Sequence, residues 1–452
     1  MKALLKSGLT LLAILLCMAP AVQADVTVFV NVSVIPMTGP EVLRQQSVVV
    51  ADGLITHIGP VDSVRVPKAA VVIDGTDRFL IPGLAEMHAH LTSTETDQVD
   101  RLATLFVANG VTLIRGMLGR ADHLALREGI ESGEIFGPRL ITSGPSLNGR
   151  SVSGAADAAR QVREQKASGY DFIKVHPGLS QDEFIVLAKT ANEIGIPFAG
   201  HVPAAAGLET ALQLTMASVD HLDGYFAAML PASNPGAGGY GGFFDTMLAS
   251  ELDAGKIPEI VEAIRVAGTW SVPTQVLVEQ LIDQTPVSDL KSRPEMRYIT
   301  PEVLDNWVAA KARQQSETGF NADTAAQAIA LRRQLILQLH QAGAGLLLGS
   351  DAPQVFNVPG FSLHRELQAL VAAGLTPYEA LRTGTAAVAD FLGSNGGVVV
   401  EGKDADLVLL DANPMLDIQN SRRIHGVMLR GQWLSAAELN RRLESFDHLG
   451  NL

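Results

Sequence analysis

The chain has 452 residues, 47% of them hydrophobic, 18% charged and only 5% aromatic, with a formal charge of −14. That length supports one large domain and a smaller one around a sizeable core. The acidity and the scarcity of aromatic rings exclude nucleic acid as a partner, since neither a basic track nor stacking platforms are on offer.

Residues 1–24, MKALLKSGLTLLAILLCMAPAVQA, open with Lys2 and Lys6, run through an apolar stretch and end on Val22-Gln23-Ala24. This pattern predicts a secretory signal peptide cleaved after Ala24, hence a secreted or periplasmic protein whose mature form is two units more acidic. An uncleaved anchor is the alternative, but the apolar run is short and Pro20 interrupts its end, so no stable membrane span is expected. Cys17, the one cysteine, lies inside this segment behind Leu16, a poor context for lipid attachment. The mature chain then has neither disulfides nor thiolate ligands, and any metal must be held by nitrogen and oxygen.

Residues 25–78 alternate short β-branched runs (VTVFVNVSVI, SVVVADGLITHIG, AVVIDG) with turn signals at Asp52-Gly53 and Gly59-Pro60. A matching β-rich piece occupies 397–433. Neither has strands enough to close a core alone, so the segments 25–80 and 397–452 are expected to pair in one small β-sandwich-like domain.

Between them, over 81–396, β-rich runs alternate with helical patterns, the mark of repeated βα units. Eight candidate strands appear: LAEMHAH, VTLIRGM, RLITSG, DFIKVH, PFAGHV, ASVDHLD, TWSVPTQVL and GLLLGSD. Capping boxes at Ser180–Glu183 and Thr376–Glu379 open two of the helices. The fold class is therefore α/β, a (β/α)8 TIM-like barrel, with a doubly wound open sheet as the alternative. The stretches 231–242 and 296–320 lengthen two βα loops and are candidate lids or tolerated insertions.

Chemistry gathers at the C-terminal ends of these strands, where a barrel carries its functional groups. His88 and His90 lie one residue apart on strand one, so both imidazoles face one point. Lys174 ends strand four, His201 strand five, His221 strand six and Asp351 strand eight. Each alone is compatible with a satisfied barrel-mouth residue. Together they supply nitrogen and oxygen donors suited to a divalent metal.

Through IPGLAEMHAHL, DFIKVH, AGHV, SVDHLDGY, LGSDAP, LHRELQALVAAGLTPYEAL and GKDADLVLLD, the chain resembles the amidohydrolase superfamily. The strand-four lysine points to the prolidase-like, imidazolonepropionase-related branch. The resemblance implies two divalent ions, most simply Zn2+, one held by His88, His90 and Asp351 and the other by His201 and His221. Lys174, carboxylated by CO2, bridges them in that scheme, because an ammonium beside two cations would be repelled whereas a carbamate offers two anionic oxygens. It further implies attack by a metal-bridging hydroxide on an amide carbonyl, with Asp351 as the proton shuttle and Tyr225 as a donor to the carbonyl oxygen.

Substrate recognition is less legible. His176 follows Lys174 by two residues and faces either substrate or packing. Arg115 either grips a substrate carboxylate or braces the barrel; relatives often follow it with aspartate, whereas this chain has Gly116. Glu86 is expected beneath the two histidines, and His364 and Glu366 in a structural or rim role. The expected substrate is a small-molecule amide, a dipeptide or N-acyl amino acid. A cyclic amide, lactone or aryl carboxamide is the alternative within enzymes, and a metal-binding protein without chemistry the alternative outside them. A homo-oligomer is compatible with the sequence.

Overall fold

The computed structural model describes residues 26–231, 241–317 and 320–447. The signal segment 1–24 and most of the expected lid 231–242 lie outside the described residues.

The terminal segments meet in one sheet. β1 (Thr27–Val34), β2 (Leu43–Ala51), β3 (Leu54–Pro60), β4 (Val71–Asp74) and β5 (Phe79–Pro82) come from the N-terminal side. β5 runs parallel to β1, pairing Phe79 with Ser33, and antiparallel to a strand from the far end of the chain, pairing Leu80 with Leu409. The expected sandwich-like pairing is thus a single mixed sheet of eight strands. The inner face gathers Phe29, Val34, Val48, Leu80, Leu407 and Met428, all buried.

The central segment follows the βα rhythm. β6 (Leu84–Ala89), β7 (Val111–Gly116) and β8 (Arg139–Thr142) form one parallel sheet; β9 (Ile173–Val175), β10 (Phe198–Gly200), β11 (Ser218–Asp220) and β12 (Trp270–Val272) form another. Every residue of β6 is buried, as expected of a strand covered on both faces. The expected eighth strand, GLLLGSD, makes no ladder of its own. Instead Leu346 bridges in parallel to Ser271 beside β12, and Ala352 bridges to Ala89 at the end of β6. A bridge between Ser143 and Phe172 links the two sheets on the other side.

Both predicted capping boxes are present, with Ser180 and Thr376 each accepting from the backbone N–H three residues on. Residues 296–320 carry the helix Pro301–Ser316, packed through Trp307 against Phe356. No helix among the described residues is long and apolar enough to cross a membrane.

Candidate metal centre

The strand ends converge. His88 and His90 leave β6 on one side, with ring centroids 5.3 Å apart. The His88 ring stands 4.4 Å from that of His221, His221 stands 4.8 Å from His201, and His201 stands 5.0 Å from His176. Asp351 enters from the end of the eighth segment, its Oδ1 2.7 Å from His90 Nε2 and 3.6 Å from His88 Nε2. His88, His221 and Asp351 bring one ligand atom each to within 4.8 Å of one another. That triple crosses the expected division of ligands, which set His221 with His201.

Lys174 lies beneath this group, fully buried, with Nζ 3.8 Å from Asp220 Oδ2. Its stem passes where only glycine leaves room. A Cβ at Gly200 would sit 2.8 Å from Lys174 Cδ and 2.5 Å from the Val175 carbonyl, and Gly200 itself is at φ +120°.

Three of the imidazoles have a partner on the far side. Asp223 Oδ2 is 3.1 Å from His201 Nδ1, Thr274 Oγ1 is 2.9 Å from His221 Nδ1, and Asp220 Oδ2 is 3.0 Å from His88 Nδ1. Glu86 accepts the backbone N–H groups of His88 (3.0 Å) and Ser350 (2.8 Å), tying β6 to the segment carrying Asp351. Such outer contacts fix tautomer and ring orientation at metal sites.

The electrostatics suit ligation. Burial, more than any neighbour, pushes the His88 and His221 imidazoles well below their ordinary value, which holds them neutral. Burial also draws the Lys174 ammonium down to about 8, against the opposing pull of Asp220 and Asp351. At Asp351 burial favours the neutral acid, but His88, His90 and Lys174 outweigh it and hold the carboxyl below the usual range. His176 is lowered to about 3, first by burial and then by Lys174.

The donor set fits divalent cations. Three buried atoms that face the centre, His90 Nε2, Lys174 Nζ and Asp351 Oδ1, make no aligned hydrogen bond although the first and last stand 2.7 Å apart. Buried polar atoms left in this way are costly unless a further group satisfies them.

Two expected roles are corrected. The Tyr225 hydroxyl is buried against β12, 2.8 Å from Ser271 Oγ, and is not presented to a substrate carbonyl. Arg115 is also buried; its Nε donates to Met87 O (2.7 Å), Nη1 to Ser218 Oγ (3.0 Å) and Nη2 to Asp220 Oδ1 (3.1 Å). It braces three strands and is not free to grip a substrate carboxylate. Asp220 supplies the countercharge that Gly116 cannot. His364 joins Ser421 to Asn109, and Glu366 accepts the N–H groups of Gln275 and Val276, so both act structurally.

Asp220, Asp223, Thr274 and Phe244 complete the site without having been predicted. Phe244 comes from the segment after the glycine-rich loop and stacks on His221 (4.6 Å between centroids, 15° between planes) and on His201 (5.9 Å, 23°).

Comparison with known proteins agrees with this geometry. The chain is 23% identical over 386 residues to an enamidase of Eubacterium barkeri, covering 82% of each chain. It superimposes on a bottromycin amidohydrolase with a TM-score of 0.72 at 25% identity, covering 94% of this chain and 91% of that one. A Xaa-Pro dipeptidase solved with bound methionine matches at a TM-score of 0.66 and 18% identity, over 91% of this chain and 100% of the other. The amidohydrolase family model matches residues 79–434, well over half of the sequence, and the chain belongs to that family of enzymes, which hydrolyse carbon–nitrogen bonds.

Proposed function

We propose that the enzyme is a binuclear metal hydrolase that cleaves an amide bond in a dipeptide or an N-acyl amino acid. The observation carrying this reading is the meeting of His88, His221 and Asp351 ligand atoms within 4.8 Å, with unpartnered Lys174 beneath them. We read the eight central segments as a (β/α)8 barrel that brings His90 and His201 to the same mouth, and its small domain as the terminal sheet.

His88, His90, His201, His221 and Asp351 would hold two divalent cations, with Zn2+ the simplest choice for nitrogen and oxygen donors. Lys174 would help to hold them as a carbamate, formed when its amine adds to CO2 and releases one proton. Bound there, the cations supply Lewis-acid polarisation of the scissile carbonyl and a water acidic enough to attack near neutral pH. Asp351 accepts the proton of the attacking water and returns it to the leaving amine as the carbon–nitrogen bond breaks. His176, neutral at physiological pH, lines the entrance and can donate to or accept from the substrate. Phe244 covers the His201–His221 side and excludes water there. The amino-terminal segment directs the enzyme out of the cytoplasm and is then cleaved off after Ala24.

Metal analysis with intact mass, run beside an activity panel of dipeptides and N-acyl amino acids, tests the reading. The expected result is two metals per chain, a CO2 adduct, and loss of both in Lys174→Ala. Full activity after exhaustive chelation overturns it.

A further inference from the structure

The corrected role of Arg115 leaves the carboxylate end of such a substrate without a partner, and the structure offers one elsewhere. Beside the metal centre lies an open concavity of about 520 Å3, lined by Asn148, Gly149, Arg150, His176, Pro177 and Gly178. His176 is the shared wall: one side faces this concavity, while its ring stands 5.0 Å from His201. Arg150 is the one charged residue in the lining. Its backbone N–H is held by Asn148 Oδ1 at 2.8 Å, but its guanidinium makes no hydrogen bond or ion pair among the described residues.

The loop that presents Arg150 is built rigidly. Leu147 N–H donates to Lys174 O and His176 N–H to Leu147 O, both at 2.9 Å, so the loop runs on as a neighbour of β9. Gly149 N–H reaches Pro177 O at 3.3 Å. A Cβ at Gly149 would stand 2.3 Å from the Gly178 carbonyl, so the close approach of the two loops requires glycine there. Asn148 Oδ1 also accepts from Ser151 N–H at 3.1 Å, closing the turn around Arg150. The turn that carries Arg150 is thereby pinned beside the loop that follows β9, while the side chain itself stays exposed.

We propose that Arg150 is a substrate-binding residue that grips the carboxylate on the leaving-amine side. The enzyme's substrate class is thereby amides of α-amino acids with a free carboxylate. This rests on the amide-hydrolase reading above. With the scissile carbonyl at the metal centre, the leaving amino acid extends past His176, and its carboxylate meets the planar fork of Arg150.

Calorimetry on the metal-loaded enzyme, with a panel of free L-amino acids and their amides, tests the proposal without relying on turnover. In the wild type at least one amino acid binds about tenfold more tightly than its amide. Arg150→Met removes that preference while leaving the amide's affinity and the metal content unchanged, and Arg150→Lys restores part of it. Equal affinity of amino acid and amide in the wild type, or an unchanged preference in Arg150→Met, overturns the proposal. If the preference depends on Arg150 but no N-acyl amino acid or dipeptide is cleaved, the binding role stands and the proposed reaction falls.

Discussion

Replacing Asp220 by asparagine separates the two tasks of this buried carboxylate. Its Oδ1 lies 3.1 Å from Arg115 Nη2, and its Oδ2 lies 3.0 Å from His88 Nδ1, with neither carboxylate nor guanidinium meaningfully exposed. At an effective dielectric of about 20, the attraction across 3.1 Å is about 5 kcal/mol. Arg115 keeps its bonds to Met87 O and Ser218 Oγ in the variant. The net loss therefore falls at the low end of what breaking a buried pair costs, about 3 kcal/mol. The second effect concerns the metal. With its oxygen turned to Arg115, the new amide presents N–H to His88 Nδ1, which drives the ring proton onto Nε2, the atom facing Asp351. Metal affinity should then fall about 10- to 100-fold. Urea denaturation of the metal-free protein reads the first effect, and competition with a chromogenic chelator reads the second. Adding Arg115→Met should recover part of the stability, since one of the two cations that Asp220 faces is gone, but not metal affinity. Metal-free stability within about 1 kcal/mol of wild type in the single variant, or unchanged metal affinity, would refute this account of Asp220.

Three further outcomes are expected. Tyr225→Phe loses only the bond to Ser271, so kcat should stay within about twofold and stability should drop by about 1 kcal/mol; a large fall in kcat restores the tyrosine to the reaction. Phe244→Ala loses its stacking on His221 and His201, about 0.5–1.5 kcal/mol, so metal affinity should fall by roughly three- to tenfold; unchanged metal affinity would remove Phe244 from the support of these rings. Burial raises the Glu366 carboxyl from 4.5 to about 8 despite its two backbone donors. The native state keeps this proton where the unfolded chain has lost it. The contribution is therefore fully present below about pH 4.5 and declines by about 1.4 kcal/mol per unit as pH rises towards 8. Glu366→Gln should show a shallower fall than wild type over this window in denaturation at stepped pH, and parallel curves would contradict the assignment.

Which parts of the site could be read from sequence follows from backbone geometry. His88 and His90 obey strand alternation, so their spacing placed them on one face, and Lys174 and His201 stand at strand ends in the same way. Asp220 escaped because it adjoins His221, and alternation puts neighbours on opposite faces. In the structure β11 stops at Asp220 and His221 turns to φ 64°, which brings both side chains against His88. Thr274 (φ 46°) and Asp351 (φ 64°) make the same left-handed turn at the ends of the two segments that follow. Tyr225 was misjudged for a related reason. Its distance of four residues from His221 suggests proximity, but the turn through Gly224 (φ 79°) starts a short helix, and the phenol lies against β12 instead.

Each left-handed non-glycine residue costs about 1–3 kcal/mol, so such turns persist only where surrounding bonds over-determine them. Arg332 does this for two of the three strand ends. Buried within the helix Ala322–Gln341, its Nη1 donates to His221 O and its Nη2 to Pro273 O, both at 2.7 Å, while its Nε reaches Gln275 Oε1 at 2.9 Å. Glu366 holds the next two backbone N–H groups of the same turn. On the Asp351 side, Asn357 donates to Ser350 O and Glu86 accepts Ser350 N–H. The ligands are thus displayed on strained strand ends clamped from behind by Arg332, Glu366 and Glu86, each far away in sequence from the backbone it holds, and by Asn357, seven residues on from Ser350. A reading of strand ends finds the ligands and, beneath the two histidines, Glu86, whereas Arg332 and Glu366 become visible as clamps only once the chain has closed on itself.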